Sequence, residues 1–210
     1  MDNPWELIDL EIYEKHMSSD EVYQLQTLNL ITQEQLSENN CEIVGILGVA
    51  GGNGLDKIDP AKTKRVYAID INKTYLEKCR QRYGYLGDSL ELLNCDLAAA
   101  KTELPYTSLL ICNLIIEYTG EREFVTTIAR NKNKTETVSC VIQKNNSTAF
   151  VSQSTLASHF EPIASLHRDI DSNSLTALFS NHGFVCSKQQ IYHLPNGKDF
   201  LRIDFVKRGL

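Results

Sequence analysis

The chain has 210 residues and a formal net charge of −6 at pH 7, and 42% of its residues are hydrophobic and 23% charged. These values are typical of one soluble globular domain spanning residues 1–210, and they exclude disordered and fibrous proteins. The acidic balance counts against a nucleic-acid partner, because proteins that follow phosphate backbones usually carry a basic surface.

Targeting and redox signals point to the cytoplasm. The longest apolar stretch, residues 109–116, contains Asn113 and is too short to span a bilayer, and charges interrupt every apolar run in residues 1–30. The six cysteines form no CxxC pair and no Cys/His ligand spacing, which favours buried, reduced thiols. We therefore expect a cytoplasmic protein with no membrane partner and no bound metal.

The N-terminal part predicts an amphipathic helix over about residues 18–37. Apolar residues recur there at helical spacing, and Ser18, Ser19 and Asp20 offer N-caps. We expect residues 1–40 to form a helical cover that lies across a core of residues 41–210.

From Cys41 onwards, short apolar runs alternate with helical segments. The runs are rich in Ile, Leu and Val and lack a polar face, which is typical of strands buried in a parallel sheet. The predicted strands are Ile43–Leu47, Arg65–Ile69, Leu90–Asn94, Ser108–Cys112 and Thr137–Gln143. Helices are predicted at residues 73–83, behind the possible cap Asn72, and at 121–130. Repeated strand–helix alternation indicates right-handed βαβ units.

The C-terminal part predicts an antiparallel hairpin. Phe184–His193 and Lys198–Val206 flank a Leu-Pro-Asn-Gly turn at residues 194–197, and Asn-Gly is a strong hairpin signal. Residues 144–170 are expected to be irregular with short helical turns. The predicted fold class is therefore α/β: a doubly wound, mostly parallel seven-stranded sheet that ends in an antiparallel hairpin, with an N-terminal helical segment.

A glycine-rich turn follows the first predicted strand, in residues 43–54. Small residues are needed where a backbone turns tightly or approaches a ligand, and ligands of open α/β sheets bind beyond the carboxyl ends of the strands. The phosphate-loop pattern GxxxxGK[ST] is absent. The pattern GxGxxG does not fit either, because Gly52-Asn-Gly54 would need a glycine at position 57, where the chain has lysine. These patterns argue against nucleoside triphosphates and dinucleotides. The glycines are alternatively explained by tight strand–helix packing.

Acidic residues end the second and third predicted strands. Asp70 closes Val66-Tyr-Ala-Ile-Asp70, and Asp96 follows Leu92-Leu-Asn-Cys. A carboxylate at the first position can accept hydrogen bonds from both hydroxyls of a ribose. Helix capping is the alternative role, and it suits Asp96 better than Asp70, because Asn72 can cap the helix that follows Asp70.

The ordered set of motifs resembles the class I S-adenosylmethionine-dependent methyltransferases. Their first motif is hydrophobic-acidic-x-Gly-x-Gly-x-Gly, and here Gly52 and Gly54 match, with Ala50 at the first glycine and Gly48 at the usual acid. The resemblance covers about residues 41–207. It implies a Rossmann-like sheet and S-adenosylmethionine as cofactor, with Asp96 near the adenine amino group. The implied cofactor-binding residues are Gly48, Ala50, Gly52, Gly54, Asp70, Ile71, Asp96, Leu97 and Asn113.

The resemblance also implies metal-independent methyl transfer, with the acceptor facing the segment after the fourth strand. Candidate catalytic residues are Glu117 and Tyr118 on that segment, and Tyr13 near the N-terminus. His16 is a further candidate, and a solvated histidine is its alternative interpretation. The acceptor atom and the oligomeric state are left open by the sequence.

Four hypotheses follow. A small-molecule methyl acceptor best fits the acidic composition and the absence of nucleic-acid motifs. Methylation of RNA or protein predicts a basic or extended groove beside the cofactor. A cofactor-binding or interaction module without catalysis predicts a sealed or absent substrate cavity. A nicotinamide-dependent oxidoreductase predicts binding of NAD(P) in place of the sulfonium.

Overall fold

The computed structural model describes residues 3–99 and 102–209. Residues 1, 2, 100, 101 and 210, which belong to the predicted cover and core, lie outside that range. Within it, seven strands form one sheet. Numbered β1 to β7 in chain order, they are Ile43–Leu47, Arg65–Asp70, Leu90–Asn94, Thr107–Asn113, Thr135–Lys144, Phe184–His193 and Asp199–Lys207.

The described residues also form α-helices, numbered α1 to α7 in chain order. They are Leu10–Ser18, Gln24–Glu38, Lys73–Tyr83, Ile116–Thr119, Glu121–Arg130, Glu161–Ala164 and Ser172–Asn181. Short 3-10 helices lie at Pro4–Leu7, Leu55–Lys57, Gly84–Ser89, Lys132–Lys134 and Ala157–Phe160.

The sheet has the strand order β3-β2-β1-β4-β5-β7-β6. The first five strands pair in parallel, and β7 pairs antiparallel with both β5 and β6. The predicted mostly parallel sheet with an antiparallel C-terminal hairpin is confirmed. The reversal of strand order beside β1 places a crevice at the carboxyl ends of β1 and β4, where ligands of doubly wound sheets bind.

Helices cover both faces of the sheet. On one face α5 and α7 bury Phe124, Ile128 and Phe179 against β4, β5 and β7. On the other face α2 and α3 bury Leu36 and Leu76 against β1, β2 and β4. This two-sided burial explains the near-continuous apolar runs in the central strands.

Two strands depart from the expectation that they lack a polar face. β3 is an edge strand, and Glu91 and Asn94 are exposed on it. In β5, Ser139 and Gln143 are buried, but they bond to Gln35 and Gln24 of α2. The prediction was therefore wrong for these two strands, because an edge strand meets water and because α2 supplies polar partners to β5.

The predicted N-terminal helix was wrong in its first turn. Residues 18–23 do not continue a helix into α2, which begins at Gln24 after Tyr23 in a left-handed conformation (φ +53°). A separate helix, α1, precedes the turn. Asp9 caps α1, since its carboxylate accepts hydrogen bonds from the backbone amides of Glu11 and Ile12.

The N-terminal segment is attached to the second strand–helix unit of the sheet. The Asn72 side chain donates to the carbonyl of Trp5, and the Tyr75 hydroxyl donates to the carbonyl of Ile8 at 2.8 Å. These bonds hold the segment over the carboxyl ends of the strands. Among the helices of the described residues, none is both long and apolar enough to cross a membrane.

Candidate functional site

A cavity of about 630 Å³ lies at the carboxyl ends of the central strands, beneath the N-terminal segment. This volume is within the range of small-molecule sites, about 300–1,000 Å³. The cavity brings together most of the residues singled out from the sequence: Tyr13, His16, Gly48, Ala50, Asp70, Ile71, Asp96, Leu97, Asn113, Glu117 and Tyr118.

The glycine-rich turn contributes Gly48 and Ala50 to the cavity wall. Ala50 has a left-handed backbone (φ +49°), a conformation that costs an alanine about 1–2 kcal/mol and that the surrounding structure must hold in place. Gly52 and Gly54 do not line the cavity. Position 52 requires glycine for two reasons: its φ is +112°, and a Cβ there would overlap the Tyr83 ring of α3.

Asp70 ends β2 with its carboxylate facing the glycine-rich turn. Oδ2 accepts a hydrogen bond from the Ala50 amide and Oδ1 one from the Asn72 amide, both at 2.9 Å. Burial raises the pKa of Asp70, and these backbone donors act in the opposite direction. A carboxylate has about four lone-pair sites, so the two bonds leave acceptor capacity for a ligand that donates hydrogen bonds.

Asp96 lies at the next strand end, in the loop that follows β3. Its Oδ1 accepts from the Ala98 amide at 2.8 Å, so the carboxylate caps a turn, and the following residues to Ala99 form no helix. Its side chain is exposed at the cavity wall. Leu97, next in the chain, adds an apolar surface to the same wall, and Ile71 lies beside Asp70.

Asn113 lines the cavity, but its amide bonds to α2. Its Oδ1 accepts from Gln35 at 2.9 Å, and its Nδ2 donates to Gln35 and Thr32. Asn113 therefore connects the end of β4 to the helical cover. The next residue, Leu114, also lines the cavity and has a left-handed backbone (φ +55°). Strained backbone of this kind often occurs at functional sites.

Glu117 is the most unusual side chain of the cavity. It is only 1% exposed, and its Oε1 accepts a hydrogen bond from the backbone N–H of Gln143 at 2.7 Å. Its Oε2 is buried without a hydrogen-bond partner in the described part of the chain. Burial raises the pKa of Glu117 to about 7, although the bond from Gln143 lowers it. The group can therefore gain or lose a proton near neutral pH.

Aromatic rings surround this end of the cavity. Trp5 packs edge to face on Tyr118 with ring centroids 4.8 Å apart, and Tyr118 lies 5.8 Å from Phe150. Tyr13 lies 6.0 Å from Trp5. Burial raises the pKa of both Tyr13 and Tyr118, so both phenols stay protonated near neutral pH.

His16 is buried in α1 and bonds through Nδ1 to Ser154 Oγ at 2.7 Å. Burial and the nearby Lys198 lower its pKa to about 4, so the ring is neutral at physiological pH. The alternative of a solvated histidine was therefore wrong. The Lys198 side chain is buried as well and donates to the Phe150 carbonyl.

Several lining residues were missed by the sequence analysis. Phe150 and Phe160 come from the irregular segment between β5 and α7, and Gln143 comes from the end of β5. The segment has no periodic pattern, so its aromatic residues carried no signal of their position. Only the placement of Gln143 at a strand end could have indicated it.

No protein-family model matches the chain, and no curated protein sequence is significantly similar to it. Solved structures are similar in fold. One is the magnesium protoporphyrin IX methyltransferase from Synechocystis PCC 6803 with bound SAM, with a TM-score of 0.71 at 11% identity over 99% of this chain and 98% of that one. Another is an N-methyltransferase from Bradyrhizobium japonicum WM9 in complex with S-adenosyl-L-homocysteine, with a TM-score of 0.66 at 13% identity over 99% and 100% of the two chains.

A third similar structure is the 1,6-didemethyltoxoflavin-N1-methyltransferase from Burkholderia thailandensis, with a TM-score of 0.64 at 14% identity over 100% of this chain and 92% of that one. In each pair the alignment spans nearly all of both chains. The chain therefore has the fold of the Rossmann-like class I methyltransferases.

Proposed function

We propose that the protein is an S-adenosylmethionine-dependent methyltransferase that acts on a small molecule. The arrangement of one cavity supports this most directly. Asp70 and Asp96, at the ends of β2 and β3, line the cavity. Glu117 lines it as well, and only one of its two carboxylate oxygens has a hydrogen-bond partner in the described residues. The structurally similar methyltransferases with bound SAM or S-adenosylhomocysteine support the same reading.

The residues at the strand ends fit an adenosyl ligand. Asp70 keeps acceptor capacity for the ribose hydroxyls beyond its two backbone bonds. The exposed carboxylate of Asp96 can accept from an amino group of the adenine, while Leu97 provides an apolar surface beside it. Gly48, Ala50, Ile71 and Asn113 complete the proposed cofactor site. Gly52 and Gly54 would contribute by shaping the turn.

A bound S-adenosylmethionine would supply a methyl group activated by its sulfonium, for transfer to the acceptor with S-adenosylhomocysteine as the neutral leaving group. The protein then has to position the acceptor, exclude water and take up a proton. Glu117 Oε2 is suited to taking up the proton, since it is buried and has no hydrogen-bond partner in the described residues, and since the pKa of Glu117 is about 7. This chemistry needs no metal.

We propose that Tyr13 and Tyr118 position the acceptor by packing against it and by donating hydrogen bonds. Their raised pKa values make them poor bases near neutral pH. Tyr13 also lies near Asp70, whose carboxylate charge contributes to its raised pKa.

The alternatives have less support. A module without catalysis predicted a sealed or absent cavity, whereas the structure has one of about 630 Å³. The similar structures include methyltransferases named for small molecules such as 1,6-didemethyltoxoflavin. A cytoplasmic location is part of the proposal, since all six cysteines are free thiols. Residues 1–40 would act as the cover of the site within one domain of residues 1–210.

Thermal unfolding with S-adenosylmethionine, S-adenosylhomocysteine, NAD and NADP tests the proposal. A ligand at about 100 times its dissociation constant adds about 2.7 kcal/mol, which raises the Tm of a protein of this size by roughly 5–11 °C. We expect a rise with the two adenosyl ligands only.

Asp70→Ala should weaken that rise, and Asp88→Ala, which changes an exposed carboxylate outside the cavity, should keep it. No rise with either adenosyl ligand, in a protein that unfolds cooperatively and was purified free of ligand, would contradict the proposed function. A rise with NAD alone would favour the oxidoreductase.

A further inference from the structure

The acceptor end of the cavity has two buried polar atoms without a hydrogen-bond partner in the described residues, the donor Trp5 Nε1 and the acceptor Glu117 Oε2. Glu117 Oε2 has no partner in the described residues, and Glu117 is 1% exposed. A buried oxygen of this kind lacks a hydrogen bond that a bound molecule can supply. Since Oε1 already accepts from the backbone N–H of Gln143, Oε2 is the free position.

The surrounding rings determine which molecules fit around that atom. Tyr118 packs edge to face on both Trp5 and Phe150, and Phe160 and Tyr13 extend the apolar surface. Aromatic side chains bind flat rings well, by offset stacking and edge-to-face contacts. The walls thus favour an aromatic acceptor over a saturated one.

We propose that the acceptor is an aromatic or heteroaromatic molecule that donates a ring N–H, arylamine N–H or phenolic O–H hydrogen bond to Glu117 Oε2. This inference rests on the proposed function and specifies its substrate class. The bond places the proton-bearing atom of the acceptor against the only oxygen of Glu117 that is free to take the proton.

Binding of matched probes tests the inference without turnover. Isothermal titration at pH 8 compares indole, which has the N–H donor, with 1-methylindole, which lacks it, in the presence of S-adenosylhomocysteine. Cyclooctanol supplies a donor without a flat ring. We expect indole to bind about 10- to 100-fold tighter than 1-methylindole, as for a hydrogen bond to a charged group.

Glu117→Gln separates the hydrogen bond from size. In this variant the side-chain oxygen at position 117 can still accept from the backbone N–H of Gln143, while the NH₂ group takes the place of Oε2 and cannot accept a hydrogen bond. The ratio of the affinities for indole and 1-methylindole should therefore fall to about one. Glu161→Gln, which changes an exposed glutamate outside the cavity, should keep it. Circular dichroism and cooperative unfolding establish that both variants are folded.

Three results would overturn the inference: equal binding of the two indoles by the unmodified chain, a preference that survives Glu117→Gln, or tighter binding of cyclooctanol than of indole. S-adenosylhomocysteine is titrated first. If it binds and the indoles are not distinguished, only the inference fails. If it does not bind, the proposed function fails, and the same probes on the free protein still test the role of Glu117.

Discussion

The buried carboxylate of Glu117 should make the stability of the protein depend on pH in a way that one substitution removes. Burial raises its pKa from 4.5 to about 7. Because the folded pKa is raised, the folded state binds the proton more tightly than the unfolded state. The stability contributed by this group is therefore fully present below pH 4.5 and is lost as the pH rises towards 7.

The magnitude follows from the two pKa values. One pKa unit corresponds to about 1.4 kcal/mol, so the raised pKa of Glu117 lowers the free energy of unfolding, relative to low pH, by about 1 kcal/mol at pH 5 and about 3 kcal/mol at pH 8. Glu117→Gln cannot ionise. We expect the stability difference between the variant and the unmodified chain to move by about 2 kcal/mol in favour of the variant from pH 5 to pH 8.

Urea unfolding at pH 5, 6, 7 and 8 measures this difference. Other titrating groups are the same in both proteins and cancel in the comparison, provided that the urea m-values agree. Glu161→Gln, at an exposed position, should track the unmodified chain at every pH. If the stability curves of Glu117→Gln and the unmodified chain stay parallel from pH 5 to pH 8, the raised pKa and the proposed proton acceptor are both refuted.

Two further predictions concern stability. Gly52→Ala should destabilise the fold by about 2 kcal/mol more than Gly183→Ala. Both glycines have a positive φ, but only at position 52 would the Cβ overlap a ring, that of Tyr83. Equal losses of stability in urea unfolding would contradict this packing role. Arg202→Met should cost about 3–5 kcal/mol, because it leaves the buried Asp204 carboxylate without its ion pair. Adding Asp204→Leu should recover much of that loss, and no recovery in the double variant would show that the ion pair is not the cause.

Much of the sheet could be predicted because its strands are buried on both faces. The apolar runs of β1, β2 and β4 indicate strands of a parallel sheet, and the Asn-Gly turn indicates the antiparallel hairpin, without reference to distant parts of the chain. The helix α1 was missed because charged residues alternate with its buried ones, although the cap at Asp9 was a usable signal.

Burial of polar side chains was harder to predict. The alternation of Arg202 and Asp204 with apolar residues indicates two faces of β7, yet both side chains are almost fully buried. Glu34 and Glu38 of α2 pair with Arg202 there. That arrangement depends on where α2 crosses the sheet, which no local pattern encodes.

The residues of the candidate site also differ in how well the sequence predicts their position. Asp70, Asp96 and Glu117 follow strands, so their convergence could be inferred from the geometry of a parallel sheet. Phe150 and Phe160 lie in an irregular segment, and only the tertiary structure brings them to the acceptor end. The sequence therefore indicates the proposed cofactor end of the cavity better than the acceptor end.

The central claim is that this cavity binds S-adenosylmethionine. Trp5, the single tryptophan of the chain, lines the cavity, so its fluorescence reports binding at this place. We expect S-adenosylhomocysteine to change the Trp5 emission in a saturable way, with S-adenosylmethionine competing and NAD having no effect. The absence of a saturable change with either adenosyl ligand, together with no heat of binding, would contradict the account.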